Sequence, residues 1–253
     1  MKLTFLGTGT SMGVPVAGGF GPKHTSNDPR NNRYRCAAWI RTPQRSLVID
    51  AGPEFRLQTL RAGITRIDAL LLTHEHTDHV AGLDDLRAYN YAQKAPIPVY
   101  TNKRTEESIR RRFSYMFLPD KTPGSVDLDF KPFDAPVIEG DCRITPLPVR
   151  HGSMEVMGFR VNDISYITDV NHIPDDTAEA IRGSRVLVMS GLRWSPPHPT
   201  HFTIPEAIAV SDKLDVQQTY LIHMSPYVDH GEVSRKLPDR VKLAFDQLEV
   251  TVR

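Results

Sequence analysis

Residues 73–79 read THEHTDH and directly follow the apolar run ALLL at residues 69–72. This stretch narrows the possible folds of the chain more than any other. His74, His76, Asp78 and His79, all potential metal donors, fall within six consecutive positions. The segment before them, IDALLLT, is continuously apolar, as a strand buried on both faces should be. In extended backbone, residues i and i+2 project the same way, so His74 and His76 can take one ion together. Asp78 and His79 lie where the chain must turn toward the helical pattern VAGLDDLRAYNYAQ, and they can face a second. Imidazole and carboxylate suit zinc, manganese or iron, and the lack of nearby thiolates argues against a soft structural zinc site.

Further donors stand at the ends of other strand-like runs. His151 follows PLPVR, Asp169 closes ISYITD, and His223 closes TYLIH. A lone histidine at a strand end is ordinarily a surface residue, and Asp169 by itself reads as a helix cap. The repeated placement carries the signal. Strand C-termini gathered at one edge of a sheet sandwich would bring together His74, His76, His79, His151, His223, Asp78 and Asp169.

The rest of the pattern supports such a sandwich. Residues 2–6 read as a strand entering the glycine-rich GTGTSMG, and residues 17–35 as an irregular loop. CAAWIR and SLVID are strands joined by a turn at Thr42–Arg45, and a helix after Asp50 closes at Gly63. IPVY, RITPLPV, VMGFRV, ISYIT, RVLVMS, TYLIHM and LEVTV are further strands, with helices over IPDDTAEAIRG, TIPEAIAVSDKLD and residues 103–118. Strands and helices alternate without a repeat or low-complexity linker, so one α/β domain over residues 1–253, with sheets face to face and helices outside, is expected.

H-x-H-x-D-H after a buried strand resembles the signature of the metallo-β-lactamase superfamily of hydrolases. LGTGTSMGVP, NDPRNNRYR, THEHTDHVAGLDDLR, PLPVRHGSMEVMGFRV, ITDVNHIP, HPTHFT and LIHMSPYVDH further resemble its branch of phosphoribosyl 1,2-cyclic phosphate phosphodiesterases. The resemblance implies a four-layer αββα sandwich with the site at one sheet edge. It implies one metal on His74, His76 and His151, another on Asp78, His79 and His223, and Asp169 bridging them. It also places His201, in HPTHFT, where it can protonate a leaving group, and leaves Asp50 to orient a ligand from behind. Two departures stand out. Where many relatives carry a structural zinc site, this chain has Gly19, Gly21, His24 and Pro226, so that site is expected to be missing and its loop held by partners of Asp28, Arg30 or Arg35. Ser190 replaces a more usual acidic residue.

Two divalent ions, zinc or manganese, lower the pKa of a shared water and clamp phosphoryl oxygens. The expected activity is therefore hydrolysis of a small phosphodiester, a cyclic ribose phosphate or nucleotide among them, by attack of a metal-bridging hydroxide. The same core also serves tRNase Z-like RNA endonucleases and thioester or lactone hydrolases. The only basic cluster, Arg110–Arg112, would point around a helix, and the net charge of +1 gives no pull toward nucleic acid. A non-enzymatic metal-binding sensor fits a full ligand set poorly. Residues 103–125 mix aromatic and charged side chains and break at Pro123–Gly124, as a lid over the pocket or a homodimer contact would. His172, His198, Arg193 and His230 are further polar residues without an assigned role. Two cysteines, no signal-peptide pattern and no long apolar run suggest a cytoplasmic protein without membrane association.

Overall fold

The computed structural model describes residues 1–22, 27–120 and 124–252. His24 and Pro123, singled out above, lie outside them.

The first sheet begins with β1 (Lys2–Gly7), β2 (Ala37–Arg41) and β3 (Ser46–Ile49), all antiparallel neighbours. It continues in parallel through β4 (Ala69–Leu71), β5 (Ile97–Tyr100) and β6 (Leu128–Lys131). The last strand of the chain, β14 (Glu249–Thr251), closes its other edge against β1. The second sheet repeats this logic. β7 (Val137–Glu139), β8 (Cys142–His151), β9 (Met154–Val161) and β10 (Ile164–Tyr166) are antiparallel. β11 (Val186–Ser190), β12 (Gln218–Ile222) and β13 (Val241–Leu243) then run parallel to β10.

Strand alternation explains the layering. Leu3, Ile40, Leu47, Leu71, Phe159, Val188 and Ile222 share one buried cluster between the sheets. Their neighbours Leu6, Val48, Leu70 and Leu72 face outward to a second cluster under the helices of the first sheet. Leu187, Met189 and Leu221 do the same on the second sheet. A strand covered on both faces must be apolar at every position, which is why IDALLLT and RVLVMS lack polar alternation. The result is the α/β/β/α sandwich.

On the first sheet lie α1 (Phe55–Ala62), α2 (Thr77–Val80), α3 (Arg87–Gln93) and α4 (Lys103–Arg112). On the second are α5 (Asp175–Ile181), α6 (Ile204–Lys213) and α7 (His230–Ser234). Gly63 closes α1 at φ 67°, as the sequence suggests. The helix expected over VAGLDDLRAYNYAQ is instead α2, a 3₁₀ turn at Leu83–Leu86, and α3. The cause is a close approach: a Cβ on Gly82 would lie 2.2 Å from the Gly52 carbonyl oxygen. The helix expected over 103–118 stops at Arg112, where a 3₁₀ turn over Ser114–Met116 packs Met116 into the core.

The early loop is tied down as its sequence suggests, with an addition. Asp28 pairs with Arg30 at 2.7 Å, and Arg35 pairs with Glu54 while donating to the Ser11 carbonyl. The addition is Arg33, fully buried, whose Nη2 donates to Asn31 Oδ1 and the Val228 carbonyl.

Candidate metal centre

The donors sit at, or just past, the C-terminal ends of β3, β4, β8, β10 and β12, so parallel strand direction delivers them to one rim. Asp50, Asp169 and His223 have φ of 62°, 49° and 58°. A β-carbon makes this left-handed backbone costly. It turns the chain sharply off the sheet edge and leaves each side chain at the rim. Glycine would adopt it freely, and two aspartates and a histidine stand there instead.

His79 Nε2 lies 3.1 Å from Asp78 Oδ2 and 3.2 Å from Asp169 Oδ2. His223 Nε2 lies 3.1 Å from Asp169 Oδ1 and 4.0 Å from Asp78 Oδ2. The His74 ring is centred 4.5 Å from that of His76 and 4.3 Å from that of His79, and His76 lies 5.5 Å from His151. His74, His79 and Asp169 present donor atoms within 4.8 Å of one another, as do Asp78, His79 and His223, and also His151, Asp169 and His201. His76 joins no such triplet but meets His74 and His151 edge-on.

A ring of hydrogen bonds sets the imidazole tautomers. Asp50 Oδ2 accepts from His79 Nδ1 at 2.6 Å, and Asp50 also accepts from the Thr73 backbone and hydroxyl. The Thr73 hydroxyl, having given its proton to Asp50, accepts from His74 Nδ1 at 3.0 Å. His151 Nδ1 donates to the Thr200 carbonyl at 2.8 Å. Each ring is thereby oriented with Nε2 toward the centre, the arrangement of metal-ligating histidines. The Asp169 backbone N–H donates to Ser190 Oγ at 2.7 Å, so Ser190 pins the left-handed turn. Thr73, Thr200 and the role of Ser190 were not legible in the sequence.

The donor set fits cations. Nε2 of His74, His79 and His223 is buried without a hydrogen bond. Nitrogen lone pairs facing carboxylate oxygens repel unless a proton or a metal lies between them. Without metal, protons take that role. Burial disfavours a charged His79, but Asp50, Asp78 and Asp169 outweigh it and raise its pKa well above the ordinary value. His223 is pushed up to about 9 against its burial, chiefly by Asp169. Burial would raise Asp169, yet His223 and His79 hold it well below the usual carboxylate range.

His201 sits beside this cluster, with Nδ1 3.8 Å from Asp169 Oδ1 and its ring 4.7 Å from that of His223. Burial first, and then the charge of His223, lower its pKa to about 3. His198 is 5.0 Å from His201, ring to ring. Arg193 is occupied with the Pro196 and Pro197 carbonyls, which shape the loop carrying both histidines. His172 bridges Arg150 through its backbone. His230 packs against Phe245, under the early loop. From α4, Arg104 reaches Glu75 Oε1 at 2.8 Å, and Arg112 reaches the Glu75 carbonyl and Thr77 Oγ1.

A two-sheet sandwich with histidines and aspartates converging on one rim defines a metallo-β-lactamase-type hydrolase. Residues 45–224 match the family described as the beta-lactamase superfamily domain, and the chain belongs to that superfamily. The chain is 35% identical to a crystal structure described as a new diphosphatase from the PhnP family, with a TM-score of 0.91, covering 100% of this chain and 98% of that one. It is also 35% identical, over its whole length, to a Porphyromonas gingivalis protein named octanoyltransferase, and 27% identical over 59% of its length to the exodeoxyribonuclease YycJ of Bacillus anthracis. It spans about half of each of these curated relatives, 52% and 56%. Among the described residues, no helix is long and apolar enough to cross a membrane.

Proposed function

We propose that the chain hydrolyses a small phosphodiester at a centre of two divalent ions. The observation that carries this reading is the convergence of buried, unbonded histidine Nε2 atoms on Asp169, whose two oxygens each face a different histidine. His74, His76 and His151 would hold one ion, and Asp78, His79 and His223 the other, with Asp169 shared. Two such ions supply an acidified water and charge compensation at phosphorus.

The chain's own residues do the remaining work. Asp50 holds His79 in the ligating tautomer, with Thr73 coupling Asp50 to His74. His201 stands beside Asp169 and is neutral in the metal-free site. An anionic phosphoryl group bound next to it favours its protonated form, from which it can pass a proton to a leaving alkoxide. The similarity to a diphosphatase and an exodeoxyribonuclease supports phosphorus as the reaction centre.

The test is elemental analysis with a substrate panel. Reconstituted protein should hold about two equivalents of zinc or manganese and should turn over bis(p-nitrophenyl) phosphate well ahead of acyl thioesters. A stoichiometry that stays at one, or a preference for thioesters, would sink the proposal.

A further inference from the structure

The segment between β11 and α6 brings His198 and His201 to the metal rim on a strap that cannot hold itself. Residues 194–201 read WSPPHPTH, and Pro196, Pro197 and Pro199 have no N–H to give. Backbone bonds between Leu192 and Phe202 and between Arg193 and Ile204 close the base of the strap, and none enters residues 194–201. Side chains hold its carbonyls instead. Arg193 donates to those of Pro196 and Pro197, His151 Nδ1 to that of Thr200 at 2.8 Å, and Asn171 Nδ2 to that of Pro199 at 3.0 Å. Asn171 is also engaged on the metal side. Its Oδ1 accepts from the Gly152 N–H at 2.8 Å, and its own backbone N–H donates to the Arg150 carbonyl at 2.9 Å. Those two residues flank His151. A backbone N–H only donates and a proline carbonyl only accepts, so the orientation of the amide is fixed. One side chain thus joins the turn after His151, the segment two residues past Asp169, and the strap two residues before His201.

Resting on the phosphodiesterase reading, we infer that Asn171 is a positioning residue for His201, fixing the strap that carries this imidazole relative to His151 and Asp169. His201 needs support from outside its own ring. Its Nδ1 is buried without a hydrogen bond and lies 3.8 Å from Asp169 Oδ1, too far for one. The ring is held only by packing, 4.6 Å from that of His151 and 4.7 Å from that of His223. Proton transfer requires heavy atoms within about 3 Å of each other, and a misplacement of about 1 Å can cost on the order of 100-fold. A strap released at Pro199 would idle the acid while the metal ligands, seated on their strands, stay in place. If the amide merely secured an exposed loop, its loss would fall equally on every substrate, or on none.

The test uses leaving groups that differ in their need for a proton. The full-length, zinc-loaded protein is assayed on ethylene phosphate, whose alkoxide leaves poorly, and on bis(p-nitrophenyl) phosphate, whose phenolate leaves unaided. Asn171→Ala and the nearly isosteric Asn171→Leu should each lower kcat on ethylene phosphate by about 10-fold or more, a part of what an acid is worth. KM should stay within about twofold, the aryl ester should lose no more than about threefold, and zinc content should not change. In a His201→Ala background, Asn171→Leu should cost less than about twofold more, since the two residues act as one unit. Comparable losses on both substrates, no loss on ethylene phosphate, a full further loss without His201, or lost zinc overturns the inference. If the wild type hydrolyses neither substrate, the phosphodiesterase reading has itself failed. There, and wherever ethylene phosphate stays intact, amide exchange decides the placement of the strap. The N–H groups of Thr200, given to His198 Nδ1, and of Phe202, given to the Val170 carbonyl, should exchange about tenfold faster in Asn171→Leu, with β8 and β12 unchanged. Unchanged exchange at both overturns it.

Discussion

Asp169 divides its oxygens between two histidines, Oδ1 at 3.1 Å from His223 and Oδ2 at 3.2 Å from His79. Asparagine tolerates the same left-handed backbone, so Asp169→Asn keeps the shape and removes one charge. It should lower the metal content from two equivalents toward one and cut turnover at least about 100-fold, with circular dichroism unchanged. Full metal loading with wild-type turnover would refute the shared-ligand role. His201 makes a different prediction. Its worth as an acid depends on how poorly the leaving oxygen departs, so His201→Ala should cost about 10²–10⁴-fold on an alkyl phosphodiester. It should cost far less on bis(p-nitrophenyl) phosphate. Equal losses with metal retained would mark a positioning role, and lost metal would make His201 a ligand. His230 tests stability. Its burial, and then Arg30 and Arg33, depress its pKa to about 4. A pKa below the unfolded value means stability that is complete above about pH 6.5 and drains away as pH falls toward 4. His230→Phe should therefore flatten the denaturant-midpoint profile between those limits, read as the difference from wild type so that metal release cancels. The histidines and aspartates of the rim were legible because clustered donors are rare in sequence. Thr73, Thr200 and Arg33 were not: hydroxyls, backbone carbonyls and arginines are common, and what matters here is a partner many residues away.

Helix α4 shows what an element contributes. From this helix Arg104, Thr105 and Arg112 grip Glu75, which lies between His74 and His76. The segment expected from its aromatic and charged mixture to form a lid or a dimer contact thus also braces the loop that carries His74 and His76. Arg112→Ala should leave the fold intact yet weaken cobalt binding, followed by its visible spectrum, by about threefold to tenfold. That is less than the 10–100-fold expected on losing a ligand's immediate partner. An unchanged cobalt affinity would deny α4 that function. Legibility at this scale followed burial. Strands covered on both faces announced themselves as apolar runs. β6, β7 and β13, at three or four residues with polar positions among them, did not. The broken helix after His79 depends on Gly52 meeting Gly82, a tertiary contact that no local period contains.

At the scale of the whole molecule, the donors are shared between the halves. His74, His76, Asp78 and His79 follow a strand of the first sheet, whereas His151, Asp169 and His223 stand on the second. Four layers could be expected from the resemblance, but this division rests on sheet order, which strand patterns do not encode. An ion held across it binds only the folded chain. At 100 times its dissociation constant, one ion adds about 2.7 kcal/mol, or roughly 5–10 °C in a chain of this size. Dialysis against a chelator should therefore lower the melting temperature by at least that much, and zinc or manganese should restore it. A melting curve indifferent to metal would contradict ions joining the sheets. The same division reaches beyond the test tube. Proteases act on whatever fraction of a protein is transiently open, and a loss of a few kcal/mol enlarges that fraction many times over. A cell deprived of the cation would then carry fewer copies of the chain as well as idle ones, and its steady-state abundance would register metal supply.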